Sequence, residues 1–193
     1  MRNTAIQTQS TQKIILQTAR WLILTAVLSF IGWLYETLLV RIQHGDWTDR
    51  GFLFLPFCPI YGVTLIVVYF LIGTPQEKRG VLKNIQNPYA HTALYLLFAF
   101  LIPTTAELLV GALFDRAFHV SLWSYAAMPM NFHGYISLPI SLLWSALIYM
   151  FMRLFFTPLR KITLKIPEKT AVFIASMLVL FVAIDAIIQF IKI

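Results

Sequence analysis

The chain has 193 residues, of which 59% are hydrophobic and only 12% charged, with a mean hydropathy of +0.76. A soluble domain needs about a quarter of its residues charged, so lipid must be the solvent for most of this surface. The net charge of +7 does not point to nucleic acid, because the basic residues lie in short segments beside apolar runs and not on a soluble face.

Residues 1–20 are polar and carry Arg2, Lys13 and Arg20. They read as a cytoplasmic N-terminal segment ahead of a single transmembrane domain at 21–193. No small-residue cleavage site follows the first apolar run, so that run is expected to stay in the protein. Five runs are long enough to cross about 30 Å of hydrocarbon at about 1.5 Å per residue. They fall near 21–40, 53–72, 93–114, 135–155 and 171–191. The expected fold is an all-α polytopic integral membrane protein with five transmembrane helices.

The segments Gly73 to His91 and Thr157 to Thr170 are basic and hold the breaking pairs Thr74-Pro75, Asn87-Pro88 and Ile166-Pro167, so they read as solvated connectors. His44 to Gly51 and Asp115 to Gly134 are rich instead in aromatic, amide, histidine and paired acid and base residues, more than a mere connector requires. With the N-terminus inside, eleven of the fifteen lysines and arginines are cytoplasmic, and only Arg41, Arg50, Arg116 and Lys192 lie outside. That asymmetry orients the chain, with the C-terminus extracytoplasmic. The single cysteine, Cys58, reads as a packing residue.

Two stretches resemble each other. Glu36-Thr-Leu-Leu-Val and Gly51-Phe-Leu-Phe-Leu-Pro56 match Glu107-Leu-Leu-Val and Gly134-Tyr-Ile-Ser-Leu-Pro139 in order and direction. A parallel repeat of one helical hairpin would leave this pattern, and so would chance among short apolar segments.

Three acids fall inside the expected spans: Glu36, Glu107 and Asp185. Each lies about fifteen residues past the cytoplasmic start of its run, which places all three about 22 Å up, toward the outer side. A charge in hydrocarbon costs at least about 2.5 to 3.5 kcal/mol, so these side chains are expected to face the bundle interior. Asp185 and Gln189, four residues apart, share one helix face. Two readings stay open: clasps between helices partnered by Arg41, Arg50 and Arg116, or a polar chamber open to the outside for an ion, a proton or a lipid headgroup.

The candidate substrate-binding set is Glu36, Arg50, Tyr61, Glu107, Arg116, Trp123, Tyr125, Asn131, His133 and Asp185. In it Arg50 and Arg116 suit a phosphate or carboxylate, and Trp123 and Tyr125 suit stacking. Glu36, Glu107, Asp185 and His133 offer metal-ligand atoms, but in no spacing that marks a metal site, and neither a metal nor a cofactor is expected. Ser121, Ser124 and Ser137 near His119 or His133 define no nucleophile, so no catalytic residue is assigned. No Walker-type loop occurs, so energy from ATP would have to come through a partner.

Several of these pieces form an ordered set: Gly32-Trp-Leu-Tyr-Glu36, then Arg50-Gly-Phe-Leu-Phe-Leu-Pro-Phe-Cys-Pro-Ile-Tyr-Gly62, then Glu107, then Trp123-Ser-Tyr125 with Pro129, Asn131 and Gly134. Over roughly residues 28–150 the chain resembles the bacterial CmpB-like, ABC-transporter type IV family. It departs from the family pattern at Leu55, where glycine is usual, and at Ser124, where an acid is usual.

The resemblance implies a small multi-spanning protein of the bacterial cytoplasmic (inner) membrane, described as permease-like. The expected function is binding of a small polar or anionic lipid-linked species in the outer chamber. The alternatives are a membrane-embedded enzyme acting on a lipid or envelope precursor, with Glu36 or Glu107 as base and His133 as acid, and a non-catalytic interaction protein. Membrane lipids are the expected partners and nucleic acid is not; an ATPase subunit in trans and a homo-oligomer are both left open.

Overall fold

The computed structural model of the chain describes residues 2–45, 47 and 51–193. Six α-helices are described: α1 (Arg2–His44), α2 (Pro59–Ile72), α3 (Pro88–Phe118), α4 (Leu138–Phe151), α5 (Thr157–Leu164) and α6 (Glu168–Lys192). Two two-residue strands, β1 (Asn131–Phe132) and β2 (Ile136–Ser137), pair antiparallel between α3 and α4. The chain divides into two compact units, one of residues 1–59 and 159–192, the other of 60–158.

In the first unit, α1 and α6 pack side by side through Ala19 and Ile23 against Ala171 and Ala175. Small side chains let two helix backbones approach closely where lipid leaves little hydrophobic drive to association. The contact is fastened by the guanidinium of Arg20, which donates to the Ile166 carbonyl at 2.9 Å. Arg160 lies over the Trp21 ring at 5.5 Å. The polar segment expected at 1–20 is the beginning of α1 itself. Residues 2–20 contain neither glycine nor proline, and the 43-residue helix is about 64 Å long, roughly twice the hydrocarbon thickness.

The second expected span, 53–72, is corrected. Its helix, α2, starts only at Pro59 and has 14 residues, about 21 Å at the standard rise. Residues 51–58 are non-helical. Leu55 and Cys58 each precede a proline, which disfavours the α conformation, and Pro59 is suited to the first helical position. Among the described residues, four helices are therefore long and apolar enough to span a membrane, and one apolar helix is shorter.

Non-helical backbone in an apolar run leaves N–H groups that lipid cannot satisfy, each at a cost of several kcal/mol. Here the first unit supplies the acceptors. The Phe54 N–H donates to Asp185 Oδ1 at 3.2 Å and the Leu55 N–H to Asp185 Oδ2 at 2.8 Å. Phe57 N–H turns back to the Leu55 carbonyl, and Cys58 N–H reaches the Ser29 carbonyl of α1 at 3.1 Å. Side chains hold the same segment: Phe52 against Phe190, Phe57 against Phe30, and Lys192 Nζ over the Phe54 ring at 4.3 Å.

In the second unit the connector expected at 73–91 is a built turn. Gly73 bridges to Lys78, the Gly73 carbonyl accepts from buried Tyr95 at 3.1 Å, and Thr74 Oγ1 accepts from the Glu77 N–H. The Tyr69 hydroxyl accepts from Arg79 at 2.8 Å and donates to Glu77, while its ring stacks on Phe156. Asn87 caps α3 by accepting from the N–H groups of Tyr89 and Ala90, with Pro88 at the first helical position. The pair Asn87-Pro88 thus starts a helix and ends none.

The connector expected at 157–170 is also corrected, because α4 continues through a π turn at Met152–Phe156 into α5 and only 165–167 are non-helical. The ring of Pro158 would clash with the carbonyl of residue 154, and a locally widened helix is how such a clash is absorbed. Ser145 Oγ donates to the Leu96 carbonyl at 2.7 Å and ties α4 to α3.

Replacing Asp185 with Asn leaves one acceptor for two N–H groups and removes the charge that strengthens both bonds. The substitution should cost about 1 to 3 kcal/mol of stability, read as a lower midpoint of thermal unfolding in detergent. Gln189→Asn, one turn away and without a change of charge, serves as the control.

Candidate functional site

The three intramembrane acids are used in different ways. In the first unit, buried Asp185 accepts from the backbone of 54–55 as described above. Half-buried Glu36 lies beside the other end of the same segment, with Cys58 Sγ donating to Oε2 at 3.9 Å, a distance open to sulfur. Glu107 belongs to the second unit.

Glu107 is only 8% exposed. Its Oε1 accepts from the Trp144 indole N–H at 2.9 Å and from the Tyr125 hydroxyl at 3.2 Å. Tyr61 meets Trp144 edge to face, with centroids 5.3 Å apart and ring planes at 63°. Four elements converge here because each is started or folded back by a local signal. Pro59 starts α2 just before Tyr61. Pro139 lies in the first turn of α4, which presents Trp144 in its second turn. The Tyr125 N–H donates to the Gly134 carbonyl at 2.8 Å, folding the 119–137 loop back.

The other expected residues of this unit hold the loop or lie at its edge. Trp123 donates to the Tyr135 carbonyl at 2.9 Å. It packs with Tyr135 against Gly111, where a Cβ would stand 3.3 Å from the Tyr135 ring and 3.4 Å from Trp123. The Asn131 amide is engaged by the loop itself: it donates to the carbonyls of Ala126 and Met128 and accepts from the Gly134 N–H. Exposed His133 sits at φ 52° with its ring against Phe132.

Arg116 follows Glu107 by nine residues, two and a half helical turns, so it points from the opposite side of α3. It interacts there with Tyr135, whose hydroxyl donates to Asp115. That bond to Asp115 holds the Tyr135 phenol above its ordinary value of 10, with Arg116 pulling the other way. Arg50 lies outside the described residues. Among the described residues no three His, Cys, Asp or Glu side chains come together as a metal site.

Of the expected residues, then, the structure brings Tyr61, Glu107 and Tyr125 into one cluster, and it adds Trp144. A signal for Trp144 exists in the sequence. An indole N–H inside an apolar span must find an acceptor, and Glu107 is the acid of the neighbouring span.

Helices of this length and apolarity define a multi-pass, all-α membrane protein. Residues 23–190 match the family model described as "Putative ABC-transporter type IV", and the chain belongs to that family, which makes it an ABC-transporter-related membrane protein. No curated protein and no solved structure matches the chain.

Tyr125→Phe and Trp144→Phe each remove one donor from the same carboxylate oxygen. Each should cost about 0.5 to 2 kcal/mol, and because the two donors share one acceptor, the double variant should deviate from the sum of the singles. Unfolding of the four proteins in detergent reads that coupling.

Proposed function

We propose that the protein is a permease-like component of the bacterial cytoplasmic membrane that binds a small polar or anionic lipid-linked species at the Glu107 cluster. The N-terminus is cytoplasmic and the C-terminus extracytoplasmic. Five crossings are counted by letting α2 together with residues 51–58 serve as the second.

The observation that carries the reading is the placement of Glu107. A carboxylate that is 8% exposed, in a span of an apolar helix, is costly to insert. Tyr125 and Trp144, which donate to it, are neutral and half-buried, so aromatic groups lie against the carboxylate. A clasp between helices needs no acid, since Ser145 to Leu96 does that work with a hydroxyl. An acid beneath accessible rings is the arrangement that ligand sites use, with few polar groups among apolar walls.

Two further observations support the wider picture. Eleven basic residues on one side against four on the other favour the orientation. Gly51 and Gly134, equivalent in the proposed parallel repeat, both have positive φ, at 103° and 73°. The chain has no Walker loop, so any ATP-driven step depends on an ATPase subunit in trans.

The test is complementation of a deletion strain with variants matched for membrane level. Glu107→Gln should fail to restore the wild-type phenotype while still inserting, whereas Asp185→Asn should restore it in proportion to the amount of folded protein. Full restoration by Glu107→Gln at normal level would remove the reading.

A further inference from the structure

We propose that the hairpin at 126–137 is seated in the membrane boundary, with Met128, Met130 and Phe132 among lipid and not in water. The inference concerns the connection between α3 and α4 and stands apart from the reading of the Glu107 cluster.

Charge is the first observation. From Ala117 to Met152 the sequence has no Asp, Glu, Lys or Arg, although residues 119–137 lie between two spanning helices and belong to neither. A connector in water ordinarily carries charged side chains, as residues 73–87 do with Glu77, Lys78, Arg79 and Lys83. Here only His119 and His133 can take up a proton near neutral pH. The last charges before the hairpin are Asp115 and Arg116, both exposed in the final turn of α3, so the charged boundary precedes it.

The polar atoms of the loop are turned inward. Besides the bonds of Trp123 and Asn131 described above, Ser137 Oγ donates to the Pro129 carbonyl and Ser121 Oγ to the Trp123 carbonyl, each at 3.0 Å. Ser124 Oγ accepts from the Ala126 N–H at 3.3 Å. On the backbone, Met128 N–H donates to the Tyr125 carbonyl, Tyr135 N–H to Phe132 and Leu138 N–H to Met130, while β1 pairs with β2. Water would satisfy these groups in an aqueous loop. Non-helical backbone at membrane depth has to satisfy them with protein.

The apolar side chains are turned outward. Met128, Met130 and Phe132 are 43%, 74% and 54% exposed, matching the 39% and 57% of Leu138 and Leu142, one turn apart on the spanning helix α4. Exposed leucines on a span meet lipid, and no charged residue separates them in sequence from the hairpin. Met130 also holds φ at 52°, uncommon for a long apolar side chain. A protein partner could cover the same patch, but the rim of such an interface is polar, and this stretch offers no charge for one. Trp123, Tyr125 and Tyr135 in the same loop are the residue types that anchor proteins at the lipid and water boundary.

The experiment uses full-length protein carrying Met130→Cys or Phe132→Cys, labelled with an NBD fluorophore and reconstituted in vesicles of phosphatidylglycerol and phosphatidylethanolamine. Cys58 is buried, and wild-type protein labelled in parallel sets the background. Leu142→Cys gives the lipid reference and Lys83→Cys the water reference. A phospholipid with a nitroxide high on its acyl chain should quench the labels at 130 and 132 within about twofold of the label at 142. Aqueous iodide should quench them at least about fivefold less than the label at 83.

Because each cysteine removes a side chain whose insertion is proposed, Ala127→Cys repeats the measurement with all three in place and should behave alike. It decides the matter if the other variants fail to fold. Strong quenching by iodide with weak quenching by the nitroxide lipid overturns the proposal. Shielding from both quenchers overturns it as well, because a second copy or another protein then covers the hairpin.

Discussion

Backbone that is neither helix nor sheet has no place in an apolar run unless something accepts its N–H groups, and in this chain that acceptor is a carboxylate. Residues 51–58 carry Pro56 and run into Pro59, and they cannot continue α2 toward its N-terminus. The freed N–H groups of Phe54 and Leu55 converge on the two oxygens of Asp185. From that arrangement follow the late start of α2 at Pro59, the seat of Cys58 against the Ser29 carbonyl, and the fixing of α6 beside the segment. A carboxylate offers one oxygen to each N–H, and charge-assisted bonds are the stronger kind.

The same physics separates the acids by role. Asp185 faces backbone donors that would otherwise be orphaned, so its charge answers a local need. Glu107 faces the phenol of Tyr125 and the indole of Trp144, both side-chain donors. Two buried acids in one small membrane protein thus differ in their donors, backbone amides at Asp185 and aromatic side chains at Glu107. Helical phase draws the further line: nine residues along α3 turn Arg116 away from Glu107, so these two do not form a paired clamp.

Much of the fold was legible because apolar length is a direct measure of what lipid will accept: the runs near 21–40, 93–114 and 171–191 each lie within a long helix, and the run near 135–155 does so from Leu138 onward. The departures have one origin, the precedence given to hydropathy over local backbone chemistry. Residues 2–20 are polar but free of glycine and proline, so α1 extends through them. Residues 53–58 are apolar but broken by Pro56 and Pro59, so α2 does not. The basic segment 157–170 reads as a connector, yet a π turn carries α4 on into α5. At the site, residue type alone singled out Glu107, Tyr61 and Tyr125. Trp144 was hidden as one more apolar residue of its span, and Asn131 looked available because its bonds to Ala126, Met128 and Gly134 depend on a hairpin that spacing does not reveal.

The central claim is that Asp185 holds a non-helical segment in place, and amide hydrogen exchange resolved to single residues tests it most directly. In the wild-type protein the amides of Phe54 and Leu55 should be protected. In Asp185→Asn that protection should fall by at least tenfold while the interior of α2, from Val63 to Ile72, keeps its own. Protection of Phe54 and Leu55 that is unchanged by the substitution would contradict the account.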